Sequence, residues 1–228
     1  MAKSGKKIKR ISRDIIKRVI NAPHLQSSIT EAQQAEMAIP SYLNKNPFIR
    51  ALFWKRYDVI YRMANLNTNM SVCEFGCGIG VFLPTLAADV ERLYAVDIYP
   101  QYAQEMARIH NLKIEFSNDL LGIADGSLDL IIACEVMEHL EDPGAYARLF
   151  ARKLKTGGRL IMSGPTESRI YKLGRILAGY HKYHDYHPHN VYQLHTIVAN
   201  NGFRTIRKEP FPFKISPLYM INLYSICF

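Results

Sequence analysis

The stretch Val72-Cys73-Glu74-Phe75-Gly76-Cys77-Gly78-Ile79-Gly80 decides the fold of this chain. The apolar run that ends at Phe75 predicts a buried strand, and the glycines that follow predict a tight turn leading into a helix. Glycine lets the backbone pass close to a ligand and adopt positive φ without a Cβ clash. The stretch therefore predicts a ligand site at the end of a strand.

Asp97 adds a second element to this site. It follows Gly76 by 21 residues, at the end of the next predicted strand. A carboxylate in that place can accept hydrogen bonds from both hydroxyls of an adenosine ribose, which predicts a nucleoside cofactor. The third glycine comes one residue too early for a dinucleotide turn, and Glu74 stands two residues before the first glycine. An acid at that position suits a cationic ligand.

The rest of the chain predicts the sheet to which this turn belongs. Short apolar runs predict strands over 70–75, 93–97, 112–116, 128–134, 159–163, 203–209 and 218–228. Helical patterns predict helices over 47–66, 81–88, 100–110, 143–155 and 191–200. Strands that alternate with helices in this way indicate an α/β fold with a mainly parallel sheet, right-handed crossovers and helices on both faces.

The pattern E-x-G-x-G-x-G resembles motif I of class I S-adenosylmethionine-dependent methyltransferases. Five further stretches resemble motifs of that family in the same order: AVDI (95–98), NDL (118–120), DGSLD (125–129), EVMEHL (135–140) and LKTGGRL (154–160). The loop between Asp119 and Asp129 is shorter than is usual there, and Thr156 replaces a common proline. The resemblance covers roughly residues 47–209.

The resemblance implies a doubly wound, Rossmann-like fold whose seven-stranded, mainly parallel sheet has its last strand inserted antiparallel. It divides the chain into a basic arm and helix over 1–46 and a methyltransferase domain over 47–228, in which 165–190 forms an insertion over the acceptor site. It implies S-adenosyl-L-methionine as the cofactor. The cofactor-binding residues that it implies are Glu74, Gly76, Cys77, Gly78, Gly80, Asp97, Ile98, Asn118, Asp119, Leu120, Cys134 and Glu135.

Candidate catalytic residues follow the fourth predicted strand, because ligands collect beyond the carboxyl ends of strands in open α/β sheets. His139 and Glu138 are the candidates there, and His187 is a third, from the histidine-rich run over 181–189. Glu135, Glu138 and His139 have the spacing of one helical face, which would also suit a divalent metal. Because hydrogen bonds to nearby loops account for the same residues, we predict no metal.

Net charge is concentrated in an N-terminal arm. The chain has 228 residues and a formal charge of +9, of which residues 1–20 carry +7, from eight basic side chains and one acid. Ile8, Ile11, Ile15 and Val19 share one helical face, which indicates a basic amphipathic helix. A solvated helix loosely docked on the domain, contact with an anionic membrane or RNA, and an organelle-targeting peptide are all compatible with it. Ser28-x-x-Glu31 is a candidate capping box for a helix ending before Pro40.

Composition narrows the class of protein. The four cysteines do not form a disulfide scaffold, which favours a reducing, cytoplasmic compartment. No apolar run is long enough to span a membrane. We therefore expect an enzyme that transfers a methyl group to an O or N atom of a small organic acceptor, with no DNA partner. An RNA methyltransferase anchored by the arm, a cofactor-binding protein without catalysis and a dehydrogenase are the alternatives.

Overall fold

The computed structural model describes residues 7–25, 30, 33–34, 37–177 and 188–227. Seven strands form its sheet: β1 (Ser71–Phe75), β2 (Arg92–Val96), β3 (Glu115–Ser117), β4 (Leu128–Cys134), β5 (Leu154–Pro165), β6 (Phe203–Phe211) and β7 (Tyr219–Ile226). Their order is β3-β2-β1-β4-β5-β7-β6. The first five strands pair in parallel, and β7 is antiparallel to both of its neighbours. The predicted sheet, including the antiparallel last strand, is confirmed.

Eight helices lie in the described part of the chain: α1 (Arg13–Ile20), α2 (Ile39–Leu43), α3 (Pro47–Ala64), α4 (Leu83–Leu86), α5 (Gln101–His110), α6 (Pro143–Lys153), α7 (Arg169–Leu177) and α8 (Val191–Asn200). Short 3-10 turns cover Pro23–Leu25 and Met137–His139. Local sequence sets several of these boundaries. Asn46 caps α3, Pro47 occupies its first turn, and Asn65 ends it in the left-handed conformation. Asn190 and Gln193 form a capping box at the start of α8.

The helices cover both faces of the sheet, because alternate strand residues point to opposite sides. Val72 and Leu130 face one core, which also contains apolar residues of α1 to α5. Cys73 and Ile131 face the second core, which contains residues of α6 and α8. Because these strands pair in parallel, the carboxyl ends of β1, β2, β4 and β5 meet at one edge of the sheet. The glycine turn leaves β1 at this edge.

The arm is part of the first core rather than a loosely docked helix, so that interpretation is wrong. Its helix begins only at Arg13, after the Ser12 cap. The buried face contains Ile8, Ile11, Ile16 and Val19, whereas Ile15, predicted to lie on that face, is half-buried. Residues 7–12 are not helical, so helical spacing counted from Ile8 places Ile15 on the buried face, whereas Ile16 occupies it.

Several predicted boundaries are wrong for identifiable reasons. Pro40 lies in the first turn of α2, a position that a proline tolerates. Of the helix predicted before it, the structure describes Gln33 and Gln34, which are helical, and the turn at Met37 and Ala38. The candidate capping residues Ser28 and Glu31 lie outside the described residues. Reciprocal capping bonds join Thr30 and Gln33 instead. Strand β5 begins five residues early because Leu154 pairs with Leu128 ahead of a register shift. Strand β3 is shorter than predicted.

Candidate active site

A cavity of about 150 Å³ opens at the carboxyl ends of β1, β2 and β4. This is the edge at which open parallel sheets bind ligands. Its walls come from the glycine turn, the end of β2, the segment after β4, helix α3 and the stretch before and within α2. They are lined by Gln33, Met37, Ala38, Tyr42, Arg56, Tyr57, Gly76, Cys77, Gly78, Ile79, Val81, Asp97, Ile98, Tyr99, Cys134, Glu135, Val136 and His139.

The glycine turn requires glycine for conformation and for space. Gly76 has φ of 75°, and a Cβ atom there would lie 2.5 Å from Cγ2 of Val136. Gly80 has φ of 78°, and its Cβ would lie 2.9 Å from Cδ1 of Leu83 and 3.0 Å from Cα of Ala103. L side chains rarely adopt such positive φ values. The turn therefore closes tightly against the segment after β4 and against α5, and Gly80 stands behind the cavity wall.

Asp97 links the glycine turn to the end of β2. Its Oδ2 accepts a hydrogen bond from the backbone N–H of Gly78 at 2.7 Å, and its Oδ1 accepts one from the N–H of Tyr99 at 2.9 Å. Both bonds fix the carboxylate at the cavity wall, beside the exposed side chain of Ile98. Each carboxylate oxygen retains a lone pair, so the group can accept further hydrogen bonds from a ligand.

Glu74 is a buried acid in β1, directly before the turn. Its side chain is 5% exposed, and its Oε2 has no hydrogen-bond partner in the described part of the chain. Burial, reinforced by the charge of Asp97, raises the pKa of Glu74 to about 8. Burial raises the pKa of the cavity residue Tyr42 as well, and Glu74 adds to that rise. A buried carboxyl with a free oxygen this close to a cavity is suited to a cationic ligand.

Arg56 and Glu135 form an ion pair across the cavity. Nη1 of Arg56 donates to Oε2 of Glu135 at 2.6 Å, and Oγ of Ser163 donates to Oε1 of Glu135 at 2.6 Å. Burial would lower the pKa of Arg56, but Glu135 and the neighbouring tyrosines hold it well above its ordinary value. The Nε of Arg56 is buried without a hydrogen-bond partner among the described residues. The guanidinium therefore keeps one donor for a ligand.

Aromatic rings surround the Arg56 guanidinium. Its Cζ lies 5.2 Å from the ring centre of Phe53, 5.3 Å from that of Tyr57 and 5.2 Å from that of Tyr219. Such contacts stabilise a cation by attraction to the ring faces. No motif in the sequence indicates Arg56, because the two ends of its ion pair are 79 residues apart.

The stretch before α2 and α2 itself form the roof of the cavity. Gln33 donates from Nε2 to the hydroxyl of Tyr99 at 2.6 Å, and the hydroxyls of Tyr42 and Tyr57 lie 3.1 Å apart. Met37 lies beside Gly78. The sequence patterns place residues 1–46 outside the domain and do not indicate this contribution to the cavity. The reciprocal Thr30 and Gln33 capping pattern was the available signal that a structured element begins here.

The predicted catalytic residues are separated by the fold. His139 lines the cavity and is exposed, whereas Glu138 is 2% exposed and does not line it. Burial, with the charge of Glu135, raises the pKa of Glu138 well above its ordinary value. His187 lies outside the described residues. Glu135, Glu138 and His139 do not form a cluster able to hold a metal, and the described residues contain no such cluster elsewhere.

The twelve predicted cofactor-binding residues fall into three groups, one of which, Glu74 and Gly80, belongs to β1 and the glycine turn without lining the cavity. The cavity brings together Gly76, Cys77, Gly78, Asp97, Ile98, Cys134 and Glu135. The loop after β3 stands apart from its lining. Asn118 donates from Nδ2 to the carbonyl of Ile98 at 3.3 Å, Asp119 accepts from the N–H of Leu121, and Leu120 is buried in the second core. This short loop therefore contacts the backbone of Ile98, a lining residue, and does not line the cavity itself.

Comparison with known protein families identifies a match over most of the chain. A family model described as a methyltransferase domain matches residues 48–208. The ubiquinone biosynthesis O-methyltransferase of Xanthomonas oryzae pv. oryzae is 33% identical over 100 residues, which are 40% of this chain and 41% of that protein. Its counterpart in Xylella fastidiosa strain M23 is 32% identical over 123 residues, covering 50% of this chain and 49% of that protein. The match thus spans less than half the length of these relatives.

Solved structures share the fold at low sequence identity. The N-methyltransferase NodS from Bradyrhizobium japonicum WM9, in complex with S-adenosyl-l-homocysteine, superposes with a TM-score of 0.64 and 19% identity, over 86% of this chain and 97% of NodS. The magnesium protoporphyrin IX methyltransferase from Synechocystis PCC 6803 gives a TM-score of 0.64 and 19% identity, over 94% of this chain and all of that one. At these identities the likeness concerns the fold.

Proposed function

The chain belongs to the methyltransferase-domain family, and from this premise we propose that it transfers the methyl group of S-adenosyl-L-methionine to an O or N atom of a small organic acceptor. The observation that carries the proposal is that two acids adjoin the glycine turn. Asp97 accepts a hydrogen bond from the turn at Gly78, and Oε2 of the buried Glu74 has no hydrogen-bond partner among the described residues. One group suits ribose hydroxyls and the other suits a cationic end, which is the combination that an adenosyl sulfonium amino acid presents.

The residues present fit this cofactor. Asp97 would accept hydrogen bonds from the ribose, while Glu74 and the free Nε of Arg56 would hold the ammonium and carboxylate groups of the methionine end. Ile98, 68% exposed at the wall, offers an apolar surface for the adenine ring. Asn118, Asp119 and Leu120 would then act on the ligand indirectly, because Asn118 holds the carbonyl of Ile98.

When bound, the cofactor supplies an electrophilic methyl group on a sulfonium. Because the reaction is an in-line displacement, the main task of the protein is to hold the acceptor on that line, an effect that contributes up to about 7–11 kcal/mol in well-oriented systems. Tyr42, Tyr57 and the Arg56 to Glu135 pair form the rigid wall against which an acceptor would lie. His139 is the group at the cavity that can take the proton of the acceptor.

Relatives support a small organic acceptor without identifying it. The printed names of the similar proteins include an O-methyltransferase of ubiquinone biosynthesis and an N-methyltransferase. We assign acceptor contact to residues 165–190, including His187, because this insertion follows β5 at the cavity edge. Free cysteines throughout the chain support a reducing, cytoplasmic location. Among the described residues, every helix is too short or too polar to span a bilayer.

A second candidate function is methylation of RNA, favoured by the exposed cations of the arm. Lys7, Lys9, Arg10, Arg13, Lys17 and Arg18 all point to solvent. If these residues anchor RNA phosphates, RNA affinity falls steeply with salt and is lost in a charge-reversed Lys17→Glu/Arg18→Glu variant. An affinity independent of salt and of these two residues would exclude the arm as an RNA anchor.

Isothermal titration calorimetry tests the proposed function. The wild-type protein should bind S-adenosyl-L-methionine and S-adenosylhomocysteine, and Asp97→Ala should weaken binding by about tenfold or more through loss of charge-assisted hydrogen bonds. Glu91→Ala is the matched control, because this acid is exposed at the amino end of β2 and does not line the cavity. Absence of binding by the wild type, or equal affinity of wild type and Asp97→Ala, would contradict the proposal. A non-catalytic protein would bind the cofactor but not transfer its methyl group to any tested acceptor.

A further inference from the structure

Large apolar side chains are exposed on three segments beside the cavity. Phe48 is 82% exposed in the first turn of α3, Ile170 is 47% exposed in α7, and Phe213 and Ile215 are 58% and 88% exposed in the loop between β6 and β7. Exposed apolar groups are common one at a time, but several on neighbouring segments mark an interaction surface. We call these four side chains the apolar rim.

Contacts of Tyr219 bring the three segments together. Its ring centre lies 6.5 Å from that of Phe53 in α3 and 5.6 Å from that of Tyr171 in α7. Thr166, at the start of the α7 segment, donates from Oγ1 to the carbonyl of Pro217 at 2.7 Å. The ring centre of Tyr219 also lies 5.2 Å from Cζ of Arg56, which lines the cavity. The three segments that carry the apolar rim are therefore packed together, beside the cavity wall formed by α3.

Cations accompany the apolar rim. Lys45, Arg169, Lys172 and Lys214 are exposed on the same three segments, and Arg50 is half-buried there. Glu167 is the one acid in the sequence of 44–50, 166–172 and 211–218. Outside the arm the whole chain carries only +2, so this local excess of positive charge is a property of the surface rather than of the protein at large.

We propose that the apolar rim and its cations dock the protein on an anionic phospholipid bilayer, with the cavity wall of α3 next to the membrane surface. Protruding apolar side chains among lysines and arginines match the acyl boundary and the phosphates of a bilayer. A second copy of the chain fits less well, because two surfaces of the same positive charge repel. The amphipathic helix of the arm is not available for insertion, because its apolar face is buried in the first core.

Vesicle flotation tests the proposal on the full chain without cofactor. Vesicles of phosphatidylcholine with about 30% phosphatidylglycerol are compared with vesicles of phosphatidylcholine alone, at about 0.1 M and about 0.5 M salt. Wild type should bind the anionic vesicles, and high salt should weaken the binding. Phe48→Ser/Ile215→Ser should weaken binding by about tenfold or more. Lys172→Glu/Lys214→Glu should weaken it by about 25-fold or more, from about fivefold for each cation removed.

Two variants serve as matched controls. Ile206→Ser removes a side chain that is 52% exposed on the edge strand β6, outside the three segments, and should leave vesicle binding unchanged. Lys17→Glu/Arg18→Glu alters the arm and should also bind normally. The proposal is overturned by a wild type that ignores anionic vesicles, by equal losses in Ile206→Ser, by a loss confined to the arm variant, or by a dimer that Phe48→Ser/Ile215→Ser dissociates. Binding of S-adenosylhomocysteine to each variant, measured separately, reports on the proposed function.

Discussion

Among single side chains, Glu74 links electrostatics to the proposed function most directly. Its pKa of about 8 results from burial and from Asp97, so at neutral pH most molecules with a free site carry a proton there. A cationic ligand favours the ionised form, and its binding releases this proton. We therefore predict that affinity for S-adenosylmethionine rises with pH up to about 8, by as much as about tenfold per pH unit, and then levels off.

Glu74→Gln isolates this effect. Its calorimetric affinity should be lower than that of wild type at pH 8 and nearly independent of pH. The free energy of unfolding should depend on pH with the opposite sign to the ligand affinity. The unfolded chain releases the Glu74 proton near the ordinary pKa of 4.5, whereas the folded protein retains it up to about pH 8. Stability of wild type therefore falls as pH rises through that interval, and Glu74→Gln should have the higher Tm at pH 8. A wild-type affinity without pH dependence would disprove this role; Glu91→Gln, at an exposed acid outside the cavity lining, is the control and should keep the pH dependence of wild type.

Among the elements, helix α3 is tied to the sheet by the pair of Arg56 and Glu135. Removing one partner of a buried ion pair strands the other charge, so we predict that Arg56→Met destabilises the protein by about 3–5 kcal/mol. The double variant Arg56→Met/Glu135→Gln should be more stable than the sum of its single changes implies, by about 1–3 kcal/mol. Urea denaturation measures all four proteins of this cycle.

The exposed pair of Arg10 and Asp58 provides the control cycle. Its atoms lie 3.4 Å apart, with side chains 56% and 28% exposed, against 4% and 19% for Arg56 and Glu135. Exposed pairs contribute at most about 1 kcal/mol, so the coupling of Arg10→Met with Asp58→Asn should be small. Additive effects in the Arg56 cycle would show that the pair does not connect α3 to the sheet.

The arm gives a second prediction for an element. Ile16 and Val19 are 1% and 0% exposed in the first core, so Ile16→Ala should destabilise the protein by about 2–5 kcal/mol and Val19→Ala by a smaller amount. Ile15→Ala, at a half-buried position of the same helix, is the matched control and should cost about 1 kcal/mol, because a half-buried side chain loses less buried apolar area. An arm that contributes nothing to the fold would give three equal, negligible changes in urea midpoint.

Elements with a clear local signal were predicted well from the sequence. Strand β4 and helix α8 have the predicted limits, because apolar runs and a capping box define them locally. Helix α2 was missed because its five residues are stabilised by the first core rather than by their own pattern. The early start of β5 depends on pairing with β4 across a register shift, which no local pattern contains.

For the molecule as a whole, the site divides in the same way. The glycine turn and Asp97 follow one after another in the motif, and the fold places them together at the cavity. Arg56, Tyr42 and Gln33 reach the same cavity from the chain before the motif, through contacts across long sequence separations. Sequence patterns therefore predict the part of the site that one βαβ unit builds, and packing of the N-terminal segments decides the rest.

This shared packing leads to a prediction for unfolding. The first core joins the arm, α2, α3 and residues of β7, so the arm and the sheet should unfold in one transition. S-adenosylhomocysteine at about 100 times its Kd should stabilise the folded protein by about 2.7 kcal/mol, which raises Tm by about 5–10 °C. Asp97→Ala, with its affinity lowered about tenfold or more, should lose about half of this shift or more at the same ligand concentration. Differential scanning calorimetry decides the matter: an arm that melts first, or a ligand that shifts only one of two transitions, would show that the arm and the sheet fold as separate units.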